Sequence, residues 1–505
     1  MRHFKSAALT AAALLTLGGG AIWAAPAAQA ATPALSIGWQ QRNCDYNGDG
    51  RDDILTGAPG ATVGGAKGAG YITVQYSTSA GISTAKRTVL SQNSSGVPGG
   101  AEAGDGFGKA VASSDLDFDG YDDAIVGIPG EDLAGLSDTG AVTVFWGSST
   151  GLHGSDSTWL EDPDELLAGA NFGRAVEGAH YFALDPANPE ANARDSLAVL
   201  EDNALLFFTV PPGGALKSGA PRLTAAERSV QAKDVAPKAA AGFEFRNLSH
   251  GNYDEDMYAD LAVSGVDSAG VSTVAVMMGG PDFDALELGD GGVFEGGPAI
   301  VSGDWDGTGQ DDLVTGDTGT GSPKGGAITI YLGRGDLGGL EQEPAQYWNQ
   351  DSDGVPGGSE TGDQWGADLS AGDTDGDGLP DLAVGAPGED IGTVSNAGAV
   401  WVLRGSRGGG FTNVGVKSFD QALSTIPGAA ETSDRWGGQV RLFDANGDKL
   451  FGLLAAAPGE NTNDGVVWVL QPSKSGITGS GSWTYGGGTL GASASNAQFG
   501  AAIDE

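Results

Sequence analysis

The chain is poor in the residues that usually hold or power a protein. It has one cysteine, four histidines and four methionines in 505 residues. One cysteine excludes an intramolecular disulfide, so in an oxidising compartment other means must hold the fold. Cys44 has two readings: a small buried apolar residue, or the anchor of an intermolecular bridge. Basic residues are scarce, 25 Lys and Arg against 66 Asp and Glu, for a net charge of -41 and a pI near 4.1. Nucleic acid needs a basic stripe, which excludes it as a partner, and anionic membrane surfaces are disfavoured likewise. His153, His180 and His250 show neither metal nor triad spacing, and His3 lies in the leader. Helical periodicity is nearly absent; its best stretch is Thr224 to Lys238. No apolar tail closes the chain, so no membrane insertion is expected.

The N-terminus reads as a secretory leader. Arg2 and Lys5 give a positive start, Ala7 to Leu17 an apolar middle, and Ala28-Gln29-Ala30 an A-x-A cleavage site. Residues 1–30 are the expected signal peptide and 31–505 a single mature domain, secreted and monomeric.

What is abundant is glycine, 88 residues, and one nine-residue acidic pattern. Its clean copies are Asp45-Tyr46-Asn47-Gly48-Asp49-Gly50-Arg51-Asp52-Asp53, Asp115 to Asp123, and Asp373 to Asp381. Each runs into a short apolar strand and a turn: ILTGAPG, AIVGIPG, LAVGAPG. The last residue of each pattern marks the repeat at Asp53, Asp123, Asp195, Asp260, Asp312, Asp381 and Gly452, in steps of 70, 72, 65, 52, 69 and 71 residues. The 52-residue step predicts that blade five lacks a loop or is poorly formed. The departure from the repeat is largest over Asp185 to Phe243. A second landmark precedes the loops: Phe107-Gly108, Phe172-Gly173, Trp365-Gly366 and Trp436-Gly437. The first loop has none, while the chain ends on an unused copy, Phe499-Gly500. The tail therefore supplies the strand that the head lacks, which closes a circular array without a free sheet edge. The expectation is an all-β, seven-bladed propeller. Tyr71 to Tyr76, Ala141 to Trp146, Ala327 to Leu332, Ala399 to Leu403 and Val466 to Leu470 read as middle strands, with Trp348, Trp365, Trp401, Trp436 and Trp468 in blade cores.

The acidic pattern carries the chemistry. Positions one, three and five turn side-chain oxygens inward, glycine at six permits a sharp turn, seven offers a backbone carbonyl and nine returns a carboxylate. An oxygen-only set of this kind takes calcium. Position twelve holds Thr56, Val126 and Val384 rather than a glutamate, so these are β-hairpin loops and not helix-loop-helix sites. The ligands expected in three sites are Asp45, Asn47, Asp49, Arg51 (carbonyl) and Asp53; Asp115, Asp117, Asp119, Tyr121 (carbonyl) and Asp123; and Asp373, Asp375, Asp377, Leu379 (carbonyl) and Asp381. Two further candidates keep fewer features. Asn252, Asp254, Asp256 and Asp260 have Met257 at the glycine position; Asp304, Asp306 and Asp312 have Thr308 at position five. In the seventh repeat Asp444, Asn446 and Asp448 remain, but Lys449 takes the glycine position and competes with a cation. The third, around Asp185-Pro186-Ala187-Asn188-Pro189, has lost its ligand set.

The Phe-Gly start, the Asp-rich loop and the Gly-Ala-Pro turn together resemble the FG-GAP repeats of the integrin alpha-subunit headpiece. The resemblance covers about residues 37 to 505. It implies a seven-bladed propeller with calcium loops on one face and a role in adhesion or partner binding. Binding would use the opposite face or the channel mouth, including the loops Glu131 to Thr139 and Glu389 to Ala397. The expected partner is a protein or a cell surface; the alternative is a glycan held by exposed tryptophans. Catalysis is not expected. Gly147-Ser148-Ser149-Thr150-Gly151 matches G-x-S-x-G but lacks the strand-turn-helix context, and a hydrolase would need an unrecognised site within Asp185 to Phe243. Arg334-Gly335-Asp336 reads as an ordinary turn.

Overall fold

Each described acidic pattern leads into the second strand of a four-stranded antiparallel sheet, and seven such sheets follow one another. The computed structural model describes residues 44–504 apart from 164, 184–193, 203, 211–223, 232–243, 267–269, 283–285, 319–323 and 335–337. The leader and its cleavage site lie outside the described residues.

Blade 1 runs, from its inner to its outer strand, Ala502–Ile503, Ile54–Ala58, Tyr71–Thr78, Gly81–Leu90. The inner strand comes from the chain's far end: Ile503 pairs with Thr56 and Ala502 with Gly57. Blades 2 to 7 begin at Ala110–Ser114, Ala175–Ala179, Glu244–Gly251, Ala299–Gly303, Asp368–Gly372 and Gln439–Phe443. The ring is closed by a shared blade, as the unused Phe-Gly copy requires. The fold is an all-β seven-bladed propeller.

Second strands such as Ile54–Ala58, Asp123–Ile128 and Asp381–Ala386 are buried along their whole length. Blades cover both their faces, so their sequences are continuous apolar runs without alternation. Core clusters bridge neighbouring blades. One joins Leu454, Val467 and Tyr485 of blade 7 to Ile54 and Tyr71 of blade 1 through Phe499 and Ile503. The landmark aromatics pack edge-to-face on their own blade's third strand: Trp365 on Trp401 and Trp436 on Trp468. Trp365, Trp401, Trp436 and Trp468 are core residues; Trp348 is half-buried.

The glycines of both landmarks meet across blade boundaries. The glycine after the aromatic donates its N–H to the Gly-Ala-Pro-type glycine of its own blade, as in Gly108 to Gly127 at 3.1 Å and Gly366 to Gly385 at 3.0 Å. Its carbonyl abuts the same glycine of the preceding blade. A Cβ on Gly57, Gly127, Gly316 or Gly385 would collide with the carbonyl oxygen of Gly108, Gly173, Gly366 or Gly437. Backbone cannot yield as a side chain can, so Gly127→Ala is expected to cost about 1–3 kcal/mol or more by overpacking. A urea midpoint equal to that of the unsubstituted protein contradicts this inter-blade contact.

Two expectations are corrected. Blade 5 is complete, with strands Ala299–Gly303, Asp312–Asp317, Ala327–Tyr331 and Gln346–Trp348 and a further small hairpin, Gly333–Arg334 with Gly339–Leu340. The 52-residue step arises before it: only residues 296–298 separate the outer strand of blade 4, Gly292–Glu295, from the inner strand of blade 5. The described part of the helix-like stretch, Thr224–Gln231, is also a strand, and residues 232–238 lie outside the described residues. Thr224–Gln231 pairs with Ala204–Thr209 as the outer edge of blade 3, because sheet pairing overrides weak helical periodicity. Cys44 is fully buried, with Ser113 Oγ at 3.1 Å and an Arg441 nitrogen at 2.9 Å from its sulfur. Burial pushes its thiol well above the usual range, which fits the buried reading.

Candidate metal centre

The hairpins turn by placing two residues in the left-handed region. Position four does so at Gly48, Phe118, Gly307, Gly376 and Gly447, and position six at Gly50, Gly120, Gly309, Gly378 and Lys449. This turns the N–H groups of positions five and six onto the carboxylate of position one. Asp115 accepts from Asp119 and Gly120, both at 2.9 Å; Asp304 accepts from Thr308 at 2.9 Å and Gly309 at 3.0 Å. Asp45, Asp373 and Asp444 do the same.

Position nine anchors the loop to the third strand. One oxygen of Asp53, Asp123, Asp260, Asp312 and Asp381 accepts the N–H of Ser77, Gly147, Gly279, Gly333 and Gly405. The other accepts the position-two N–H in four loops, from Leu116, Tyr253, Trp305 and Thr374.

Three loops gather carboxylates so that one oxygen from each lies within 4.8 Å of the others: Asp115, Asp117 and Asp123; Asp304, Asp306 and Asp312; Asp373, Asp375 and Asp377. Burial, with like charges adding to it, pushes Asp115 up to about 6, Asp312 up to about 8, and Asp123 well above the carboxylate range. Carboxylates this close need a shared proton or a cation, and an all-oxygen set fits a hard cation of the calcium type. Asp119 turns toward the Tyr121 N–H at 3.1 Å, as Asp377 does toward Leu379 at 3.0 Å.

The other expected sites differ. In blade 1 Asp45, Asp49 and Asp53 do not form such a group. Asn47 donates to Asp53 at 2.7 Å and Arg51 pairs with Asp49 at 3.2 Å, which holds these side chains apart. In blade 4 Met257 does not take the left-handed conformation that position six has in the other loops, while Glu255 at position four does, at φ 64°. Asn252 then donates to the Asp256 carbonyl at 2.8 Å, Asp254 accepts from Asp256, and no trio forms with Asp260. Blade 5, with the weaker sequence pattern, does form one. Blade 7 keeps the loop shape without a trio, and Lys449 adopts φ 65°. The third loop's residues 184–193 lie outside the described residues. Two trios are met by arginines. Arg404 contacts Asp375 and Asp381, and Arg334 reaches Asp306 at 3.2 Å and Glu341 at 2.9 Å. Arg334 is thus engaged with a loop; Gly335 and Asp336 are outside the described residues.

Neighbouring loops are joined by residues whose role the sequence pattern did not reveal. At position eight, the buried Asp52 and Asp311 and the half-buried Asp122 accept the position-one N–H of the preceding blade, from Asp444, Asn252 and Asp45 at 2.7–2.9 Å. Their own N–H groups bond back to the same residues' carbonyls. Position seven adds packing. The Tyr121 ring lies over Gly48, where a Cβ would stand 2.6 Å from it, and Leu379 covers Gly307 likewise at 2.9 Å. An alternation of Asp at positions eight and nine was the only available signal.

These hairpins and glycine contacts coincide with what comparison with known proteins finds. The model for the FG-GAP repeat matches residues 42–74, 107–145 and 365–403. Those three segments are FG-GAP repeats. Its relatives include the integrin alpha pat-2 of Caenorhabditis elegans, 35% identical over 184 residues, which cover 33% of this chain and 14% of the relative. The phosphatidylinositol-glycan-specific phospholipase D of Bos taurus is 34% identical over 119 residues, 24% of this chain and 14% of that protein. Human integrin alpha-IIb is 32% identical over 145 residues, 27% and 12% respectively. The similarity thus spans a small part of each relative's length.

Proposed function

We propose that this FG-GAP propeller is a secreted interaction module, clamped by calcium in its hairpin loops and binding a protein or cell-surface partner with the opposite face. The observation that carries the reading is the set of three carboxylate trios, two of them in loops that bond to the acidic loop of the preceding blade. Calcium there would neutralise acids that otherwise repel, and would stiffen the ring rather than take part in a reaction. Asp115, Asp117 and Asp123, with the equivalent acids of blades 5 and 6, would hold it.

A binding role is preferred to catalysis because the one nucleophile motif of the sequence among the described residues, Gly147 to Gly151, is not in a catalytic setting. Gly147 to Gly151 is a turn between two strands of blade 2, with no helix after it. Relatives named as an integrin alpha and as a phospholipase D share only a fragment with this chain, so neither name carries an activity over. A protein partner is preferred to a glycan because six of the nine described tryptophans, Trp146, Trp305, Trp365, Trp401, Trp436 and Trp468, are buried and cannot stack on sugars, while Trp159, Trp348 and Trp483 are half-buried on separate blades.

The test is binding of the labelled chain to cells in calcium. Saturable binding lost after protease treatment of the cells, and kept after periodate oxidation of their glycans, is expected. Binding that survives protease and is lost to periodate replaces this reading with the carbohydrate one.

A further inference from the structure

The face opposite the hairpins carries a second repeated arrangement of acids. In blades 2, 6 and 7 the Pro-Gly turn after the second strand ends on Glu131, Glu389 and Glu460. Each stands beside an aspartate two residues ahead of the landmark aromatic: Asp105, Asp363 and Asp434. The turns are tied together by Gly130, Gly388 and Gly459, whose N–H groups donate to those aspartates' carbonyls at 2.9–3.1 Å. A glutamine two residues beyond the preceding blade's outer strand completes each cage. Gln92, Gln350 and Gln421 donate Nε2 to the glutamate at 2.6, 2.7 and 3.0 Å.

One atom in each cage is left over. The amide oxygen of Gln92, Gln350 and Gln421 has no hydrogen-bond partner, although these residues are at most 4% exposed. The same orphan recurs three times in the same place. The carboxyls of Glu460 and Asp434 also hydrogen-bond each other, which two acids manage only with a proton or a cation between them. A proton satisfies the acid pair and leaves the amide oxygen orphaned. A cation satisfies both: a half-turn of the amide brings its oxygen to the glutamate, a contact tolerable only around positive charge.

We infer that these three cages are hard-cation sites, each taking a calcium-type ion through the glutamate, the aspartate and the glutamine oxygen. All three donors are hard oxygens, the set such a cation prefers. Where blade 1 has Ala61 in place of the glutamate, the arrangement is absent. Each cage joins the end of one blade to two turns of the next, so the partner-facing side would be clamped by metal as the hairpin side is.

Terbium, which substitutes for calcium, locates the sites directly. Crystals of the full chain soaked in terbium are expected to show anomalous peaks beside Glu131, Glu389 and Glu460 as well as in the hairpins. Peaks confined to the hairpins overturn the cages and leave the hairpin reading standing; peaks in neither place overturn both. In solution, Glu131→Gln with Glu389→Gln and Glu460→Gln is expected to lose the calcium equivalents of three cages in equilibrium dialysis, while Asp115→Asn with Asp304→Asn and Asp373→Asn loses only those of the hairpins. Unchanged binding in the glutamine variant, with its fold intact by circular dichroism, rejects the inference. If that variant fails to fold, Glu389→Gln alone, losing one equivalent or none, decides.

Discussion

Replacing the first carboxylate in three hairpins, as Asp115→Asn, Asp304→Asn and Asp373→Asn together, is expected to remove most of the hairpins' share of the calcium-dependent rise in melting temperature. Asparagine keeps an oxygen for the loop N–H bonds but deletes the charge, so the hairpin shape survives while its cation affinity falls. Metal bound only by the folded state stabilises by about 2.7 kcal/mol per site when free calcium is about a hundredfold above the dissociation constant. Asp444→Asn is the control. Its loop has the same two N–H bonds and the same left-handed pair but no trio, so the calcium response should stay at the level of the unsubstituted protein. Melting curves with calcium and with chelator measure both. A triple variant that keeps the full response, or an Asp444 variant that loses it, contradicts the assignment.

The second large effect is at the closure of the ring. Arg441 is buried at 2% exposure among Asp504, Asp52, Tyr46 and Cys44. It contacts the Cys44 sulfur and the Asp53 carbonyl, while the Tyr46 hydroxyl donates to Asp504 at 2.5 Å. These groups come from both ends of the domain and from blade 7. Arg441→Met leaves the acids buried without their cation and is expected to cost about 3–5 kcal/mol. Adding Asp504→Asn should recover part of this. The loss should also depend on pH. Burial raises Asp504 above its ordinary value of 3.8 and Arg441 lowers it, so removing the arginine raises it further. A carboxyl raised in the folded state favours folding when protonated, so the variant's deficit should grow once pH passes the already raised value of Asp504 in the unsubstituted protein. Urea unfolding at two pH values measures it. A deficit below about 1 kcal/mol, of the size common for exposed pairs, would show that the cluster is not a buried ion network.

Much of this structure was legible because its determinants are local and repeated. Asp-Gly turns, the Phe-Gly landmark and the spare copy at Phe499-Gly500 each announce one turn or strand, and their order fixed the blade count. The same locality explains the two corrections to the fold. Thr224–Gln231 is a strand only because Ala204–Thr209 lies beside it. The metal groups depend on side-chain direction as much as on residue type: blade 1 has the pattern, yet Asn47 and Arg51 turn its acids away, whereas blade 5 lacks an acid at position five and still forms a trio. The position-eight carboxylates and the glutamine cages join residues tens of positions apart or on separate blades. Their partners are set by how blades pack, which no single repeat displays.

Hydrogen exchange of the full chain in calcium and in chelator tests the central claim, that calcium in the hairpins ties adjacent blades together. Calcium should slow exchange in residues 115–123, 304–312 and 373–381. It should also slow the amides of Asp45 in blade 1 and Asn252 in blade 4, whose N–H groups donate to the Asp122 and Asp311 carboxylates. Exchange in those hairpins that is the same with and without calcium, while the chain stays folded, contradicts the account.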